Sequence, residues 1–273
     1  MSETATALPR PLPFWRGARA VFDIALEGMV WTRRSLLMAL LLLFPVAFAL
    51  LYRFLLFAKI PSRAFSPFDA YSFVAALYYA RNALPLVALF YAVALVADEV
   101  EGKTITYFFT RPVTRASILL GKFMAYLATT LSLSIPALVV TFFLLVTTPG
   151  FSGLGARAPS LLRDMGVVAV VLAVYGALFT LMGVALRRPV IPGLLFLFAW
   201  ELLALLPGYL PRFTITAYVR SLMPYRPPSE DMSELFGQVL PLGLSLGTLG
   251  GMLVVFLGLS LWIFSRREYV LEQ

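Results

Sequence analysis

Long apolar stretches alternate with short polar ones along this chain, and the alternation has the scale of membrane helices. Leu36–Leu51 is an unbroken apolar run, extended through Tyr52–Phe57. Further runs lie at about 73–97, 123–146, 165–186, 190–206 and 241–264. Each approaches the ~20 residues that cross a bilayer as a helix. The predicted fold class is therefore all-α, a polytopic membrane protein with six transmembrane helices. A β-barrel would instead show weak alternation in segments of ~10 residues.

The polar intervals predict the remaining elements. Residues 1–13, with Pro9, Pro11 and Pro13, read as a flexible cytoplasmic tail. In 14–34, Arg16, Arg19, Asp23 and Glu27 share one helix face. Trp15, Ala18, Phe22, Ala25, Met29 and Val30 gather on the other. This pattern predicts a helix lying in the membrane interface, in preference to an extension of the first span. Pro149–Pro159 reads as a loop and Arg187–Pro189 as a tight turn. Pro207–Leu240 is too long for a turn and predicts short helices capping the outer face. Residues 265–273 read as a cytoplasmic tail.

Composition sharpens the class. The chain is 60% hydrophobic and 13% charged, with mean hydropathy +0.88, far too apolar for a soluble domain of 273 residues. Its net charge of +8 reads as membrane-flanking arginine and implies no nucleic acid. Thirteen of the 22 basic residues fall on the side of the N-terminus, which favours both termini in the cytoplasm. There is no cysteine and no histidine, so disulfides, Cys-ligated metals and Ser–His catalysis are excluded. The nine methionines are scattered and form no metal-binding cluster. No metal is expected. The five aspartates fall outside the apolar runs or at their ends, leaving no pair for an intramembrane aspartic protease.

The densest polar chemistry is Asp98–Lys122, DEVEGKTITYFFTRPVTRASILLGK. Asp98, Glu99 and Glu101 come first, then the apolar patch Ile105, Tyr107, Phe108 and Phe109, then a turn at Arg111-Pro112, then Arg115 and Lys122. If the segment is helical, its carboxylates sit at the N-terminal end, favoured by the helix dipole. Gly102-Lys103-Thr104 resembles the end of a phosphate loop, but Ala97 stands where that loop needs glycine. The chain thus carries no nucleotide site of its own.

These residues resemble the signature of ABC-2 type transporter permeases: the DE-x-E-G-K start, the apolar patch, TRPVTR and ILLGK. The resemblance implies a membrane subunit, not an enzyme by itself, in which 98–122 holds a short cytoplasmic coupling helix between spans 2 and 3. Residues 14–264 would form the ABC-2 type transmembrane domain. Asp98, Glu99, Glu101, Tyr107, Phe108, Phe109, Arg111, Pro112 and Arg115 would meet a separate ABC ATPase, in two copies, which binds ATP and Mg. A second permease chain would complete a homodimeric exporter in a bacterial-type cytoplasmic membrane. Alternatives are a standalone channel or secondary transporter, or an ABC-type complex acting in signalling or assembly.

Two further features stand out. Glu201 lies ~16 Å into its run and Arg81 ~24 Å from the cytoplasmic end of span 2, so both are intramembrane ionisable groups. They suggest either an Arg81–Glu201 pair or a wet cavity. Gly243, Gly247 and Gly251 form a stripe at helical spacing, expected to pack against another helix of the same chain in preference to a dimer seam.

Overall fold

The computed structural model describes residues 13–30, 32–58, 66–101, 114–147, 154–206, 208–223, 225 and 240–266. Among them every regular element is helical. Helix α1 is Phe14–Val30 and α2 is Arg33–Phe57. Then α3 (Pro67–Phe73), a π-helical stretch (Val74–Ala83) and α4 (Leu84–Glu101) follow one another without a break. Helix α5 spans Arg115–Val146 and α6 spans Leu154–Ala185. A broken segment follows: α7 (Val190–Leu195), a π stretch (Phe196–Trp200) and a 3₁₀ turn (Glu201–Leu205). After a second 3₁₀ turn (Leu210–Phe213) come α8 (Ile215–Leu222) and α9 (Leu242–Arg266).

Among the described residues five helices are long and apolar enough to cross a membrane: Arg33–Phe57, Pro67–Leu95, Arg115–Val146, Leu154–Ala185 and Leu242–Arg266. The expected span at 190–206 corresponds to the shorter Val190–Leu205, and α-helical geometry holds only in its first six residues. The loop expected at 149–159 is helical from Leu154 onward. Pro159 lies inside α6, where it removes the N–H that would bond to Gly155 O. Gly208, at φ 94°, makes the turn after Leu205, in a backbone region that side chains with a Cβ rarely enter.

Proline explains where the rods are irregular. The π stretch Val74–Ala83 runs directly into Pro85, which has no N–H to return to the Arg81 carbonyl. The Leu84 N–H reaches back five residues to Tyr79 O. In α2, Pro45 leaves the Leu41 carbonyl without its helical donor. The Tyr78 hydroxyl donates to that oxygen at 2.7 Å, and Tyr79 donates to Leu42 O at 2.9 Å. Tyr126 does the same between α5 and α6, donating to Leu172 O at 2.8 Å. In an apolar medium each such bond satisfies a hydroxyl that would otherwise be costly to bury.

The core lies where α4, α5 and α6 meet, and isolated glycines set the spacing there. A Cβ at Gly183 in α6 would stand 3.2 Å from the Val93 carbonyl oxygen of α4. One at Gly176 would collide with the Tyr126 ring, and one at Gly121 with the Ala18 carbonyl. Helix α1 accordingly lies on the first turns of α5 with Ala18 and Val21 buried, while Trp15 is 73% exposed. At this end Thr32 caps α2 by accepting from the Ser35 N–H at 3.2 Å. Ser35 in turn donates to Met29 O, the last turn of α1, and accepts from the Tyr91 hydroxyl of α4.

Candidate functional site

Glu201 and Arg81, the two ionisable groups that stand inside apolar runs of the sequence, both lie beside α8. Glu201 opens the 3₁₀ turn that ends the broken segment, and it is buried. Its Oε1 accepts from the Ile215 N–H at 3.2 Å and its Oε2 from the Thr216 N–H at 3.0 Å. Thr214 Oγ1 takes the next one, the Ala217 N–H, at 3.3 Å. The first N–H groups of any helix lack intrahelical acceptors, and negative charge there also meets the positive end of the helix dipole. One carboxylate and one hydroxyl therefore make it possible to bury α8 along its whole length. The Tyr175 hydroxyl of α6 pairs with Thr216 Oγ1 at 3.1 Å and completes the mount.

Arg81, partly buried in the π stretch, is within electrostatic reach of Glu201 and Tyr175. The hydrogen bonds of the Glu201 carboxylate go to the backbone of α8, in place of the guanidinium partner considered from the sequence. Arg81 instead lines a cleft with Thr216 and Arg220 of α8. Sequence reasoning passed over Arg220 because it falls inside the polar interval 207–240. The interval was expected to cap the surface, yet all eight residues of α8 are buried. Thr214 ahead of Ile215 was the available signal, since threonine is a favoured N-cap.

A second buried polar cluster lies toward the start of α6. Asp164 is fully buried in α6, inside the helix and not at its end. Its Oδ2 accepts from the Tyr71 hydroxyl at 2.7 Å and from the Tyr225 hydroxyl. Arg163 Nε lies 3.5 Å from Oδ1, and its guanidinium covers the Tyr225 ring. Burial, then the Asp164 carboxylate, raises the Tyr225 phenol above its ordinary value, so it stays protonated and donates. Asp164 thus ties α3, α6 and the chain after α8 together.

The third region is the polar segment 98–122. Asp98, Glu99 and Glu101 belong to the last turn of α4. Tyr107, Phe108, Phe109, Arg111 and Pro112, and with them most of the expected coupling helix, lie outside the described residues. Arg115 is the first residue of α5, after Thr114. Lys122 is buried and donates to the Leu95 carbonyl at 2.9 Å, joining the start of α5 to the last turns of α4.

Gly243, Gly247 and Gly251 do not pack as expected. All three are exposed on α9, and among the described residues no atom lies within 4 Å of a Cβ built on them.

A comparison with curated proteins gave no match. The family model described as ABC-2 family transporter protein matches residues 27–269, a stretch that takes in all five long helices, the broken segment and the polar segment between α4 and α5. The chain belongs to the ABC-2 transporter family.

Proposed function

We propose that this chain is the permease subunit of an ABC exporter. It works as a pair, and two copies of a separate ATPase, which bind the ATP and Mg, drive it from the cytoplasmic face. The observation that carries this is the family match over 27–269, on a chain that lacks a phosphate loop of its own. The ABC-2 family supplies transmembrane subunits, and such a subunit implies a partner ATPase.

The docking element is 98–115, between the end of α4 and the start of α5. Two features support it. Asp98, Glu99 and Glu101 put three acidic residues in the first four positions of the segment, a composition that suits a basic partner surface. Lys122 couples the two helices that flank the segment, so a displacement there reaches both. Both termini lie in the cytoplasm in this arrangement.

The test is co-purification in detergent with the ATPase encoded beside this chain, for wild type and for Glu99→Arg/Glu101→Arg. Wild type is expected to retain the ATPase in equimolar amount, and the double variant to lose most of it while eluting normally. A wild-type chain that purifies alone and stable would remove the reading.

A further inference from the structure

We infer that Asp164 is a proton-binding site at the end of the bundle away from 98–115, and that a proton bound there displaces Arg163 and loosens the chain after α8. Tyr71 lies near the start of the second span and Asp98 just beyond its end, which fixes the end at which the site stands. The side chain of Asp164 is 0% exposed, and its two oxygens are used unequally. Oδ2 accepts from two hydroxyls, Tyr71 at 2.7 Å and Tyr225. Oδ1 is buried and has no hydrogen-bond partner among the described residues. Arg163 Nε stands 3.5 Å from it, on a side chain that is 38% exposed.

A buried oxygen left without a donor is costly, and Oδ1 can be compensated in two ways. While the carboxylate is ionised, the Arg163 guanidinium supplies the countercharge. Once water delivers a proton to Oδ1, the new O–H bond removes the charge, and Oδ2 can still accept from both tyrosines. Arg163 then has no anion to pair with. It is the exposed member of the cluster, so it can turn into water where Asp164 cannot. The groups that face Asp164 are Tyr71 from α3, Tyr225 from the chain after α8 and Arg163 from its own helix. Helix α5 contributes the apolar ring of Phe142, 4.9 Å from that of Tyr71. The nearby charges have other partners: Arg157 lies over the Phe68 ring at 4.9 Å, and Asp69 accepts from Ser66 at 2.6 Å.

The proton changes what holds Tyr225. Hydrogen bonds to an ionised acceptor are about twice as strong as those to a neutral one, so both tyrosine bonds weaken together. Arg163 also leaves the Tyr225 ring, which it covers at 4.9 Å. Tyr225 stands three residues beyond the end of α8, so that end loosens while Glu201 keeps the other. The pairing with Arg163 needs the ionised carboxylate, so the attachment is complete at higher pH and weakens as the pH falls.

That this loosening regulates an exporter rests on the permease reading above. The proton site does not, and the experiment uses the full chain without any ATPase, in a maltoside detergent that has no carbonyl group. Infrared difference spectra are recorded on acidification from about pH 8 to about pH 4, a range that spans ordinary carboxyl values. Hydrogen exchange of peptides covering 220–225 is followed in parallel and corrected for its intrinsic pH dependence. Wild type is expected to gain a carboxylic-acid carbonyl band that Asp164→Asn lacks. Its exchange across 220–225 is expected to rise about tenfold with the band, the equivalent of one charge-assisted contact. In Asp164→Asn exchange is expected to be fast throughout. In Arg163→Gln the band is expected at higher pH than in wild type, because the proton has lost its competitor.

A wild-type spectrum with no band that Asp164→Asn removes overturns the proton site. A band at the same pH in Arg163→Gln overturns the displacement, and unchanged exchange while the band develops overturns the loosening. Should Asp164→Asn fail to fold, the shift of the band in Arg163→Gln decides, since that side chain is exposed. A chain that shows the band and the loosening yet captures no ATPase keeps this site and loses the reading above.

Discussion

Helices α6 and α9 are nearly indistinguishable as strings of residues. Both are strongly apolar, yet 72% of the membrane-length stretch of the first is buried inside the molecule and 11% of that of the second. Each carries several glycines. Those of α6 lie against other helices at Gly176 and Gly183, whereas those of α9 face open space at Gly243, Gly247 and Gly251. Hydropathy reports only that a helix prefers lipid to water. Lipid tails and leucine side chains are equally apolar, so the bilayer does not decide which helices bury each other. Shape decides it, through a tyrosine ring or a carbonyl that fits only where a Cβ is missing. The repeated glycine spacing in α9 is conspicuous in the sequence, and it marks the less packed of the two helices.

The comparison is easiest to break at its packed side. Gly176→Leu would force the buried, hydrogen-bonded Tyr126 ring out of place. It is expected to cost about 3 kcal/mol or more, read as loss of the monodisperse peak in detergent chromatography and a lowered unfolding midpoint. A normal profile would show that α5 and α6 do not depend on this contact.

A smaller effect is expected at the element that connects the two sides. Helix α8 packs on α9 and touches α6, and Glu201 holds its N-terminal end. Glu201→Gln replaces one acceptor oxygen by an amide donor aimed at a buried N–H, which is expected to cost about 2 kcal/mol. Hydrogen exchange should rise across 215–222 first. The swap Arg81→Glu/Glu201→Arg is expected to restore nothing, since an arginine cannot accept from the Ile215 and Thr216 N–H groups. Rescue by the swap would instead show that charge pairing with Arg81 is the main role of Glu201.

The smallest effect belongs to the open side. Gly247→Leu on α9 is expected to change the unfolding midpoint of the detergent-solubilised chain by less than the equivalent of about 0.5 kcal/mol. A large loss would mean that the stripe is covered after all.

The helices were legible because ~20 apolar residues in a row have few other uses. The end of α2 at Phe57, of α5 at Val146 and the start of the broken segment at Val190 coincide with the sequence expectations. The fate of the polar residues was not legible, because it depends on partners distant in the chain. Glu201 was conspicuous as a lone acid in an apolar run, but its partners are main-chain groups 14 and 15 residues away, which carry no sequence mark. Asp164 stands at the end of an apolar run, yet the helix already runs at Leu154, well before it. Helix α8 was hidden by its own composition. Thr216, Arg220 and Ser221 read as surface, and only the capping of its N–H groups allows it to be buried. The inward placement of Arg220 was hidden for the same reason.

That capping has a consequence for how such a protein can diversify. Glu201 grips α8 by its peptide groups, which are the same whatever side chains the helix carries. A change of side chain at Val219 or Arg220 therefore leaves these two bonds in place. The anchor and the side chains of α8 are inherited separately, so a lineage built on this frame can vary the face of that helix while keeping its anchor.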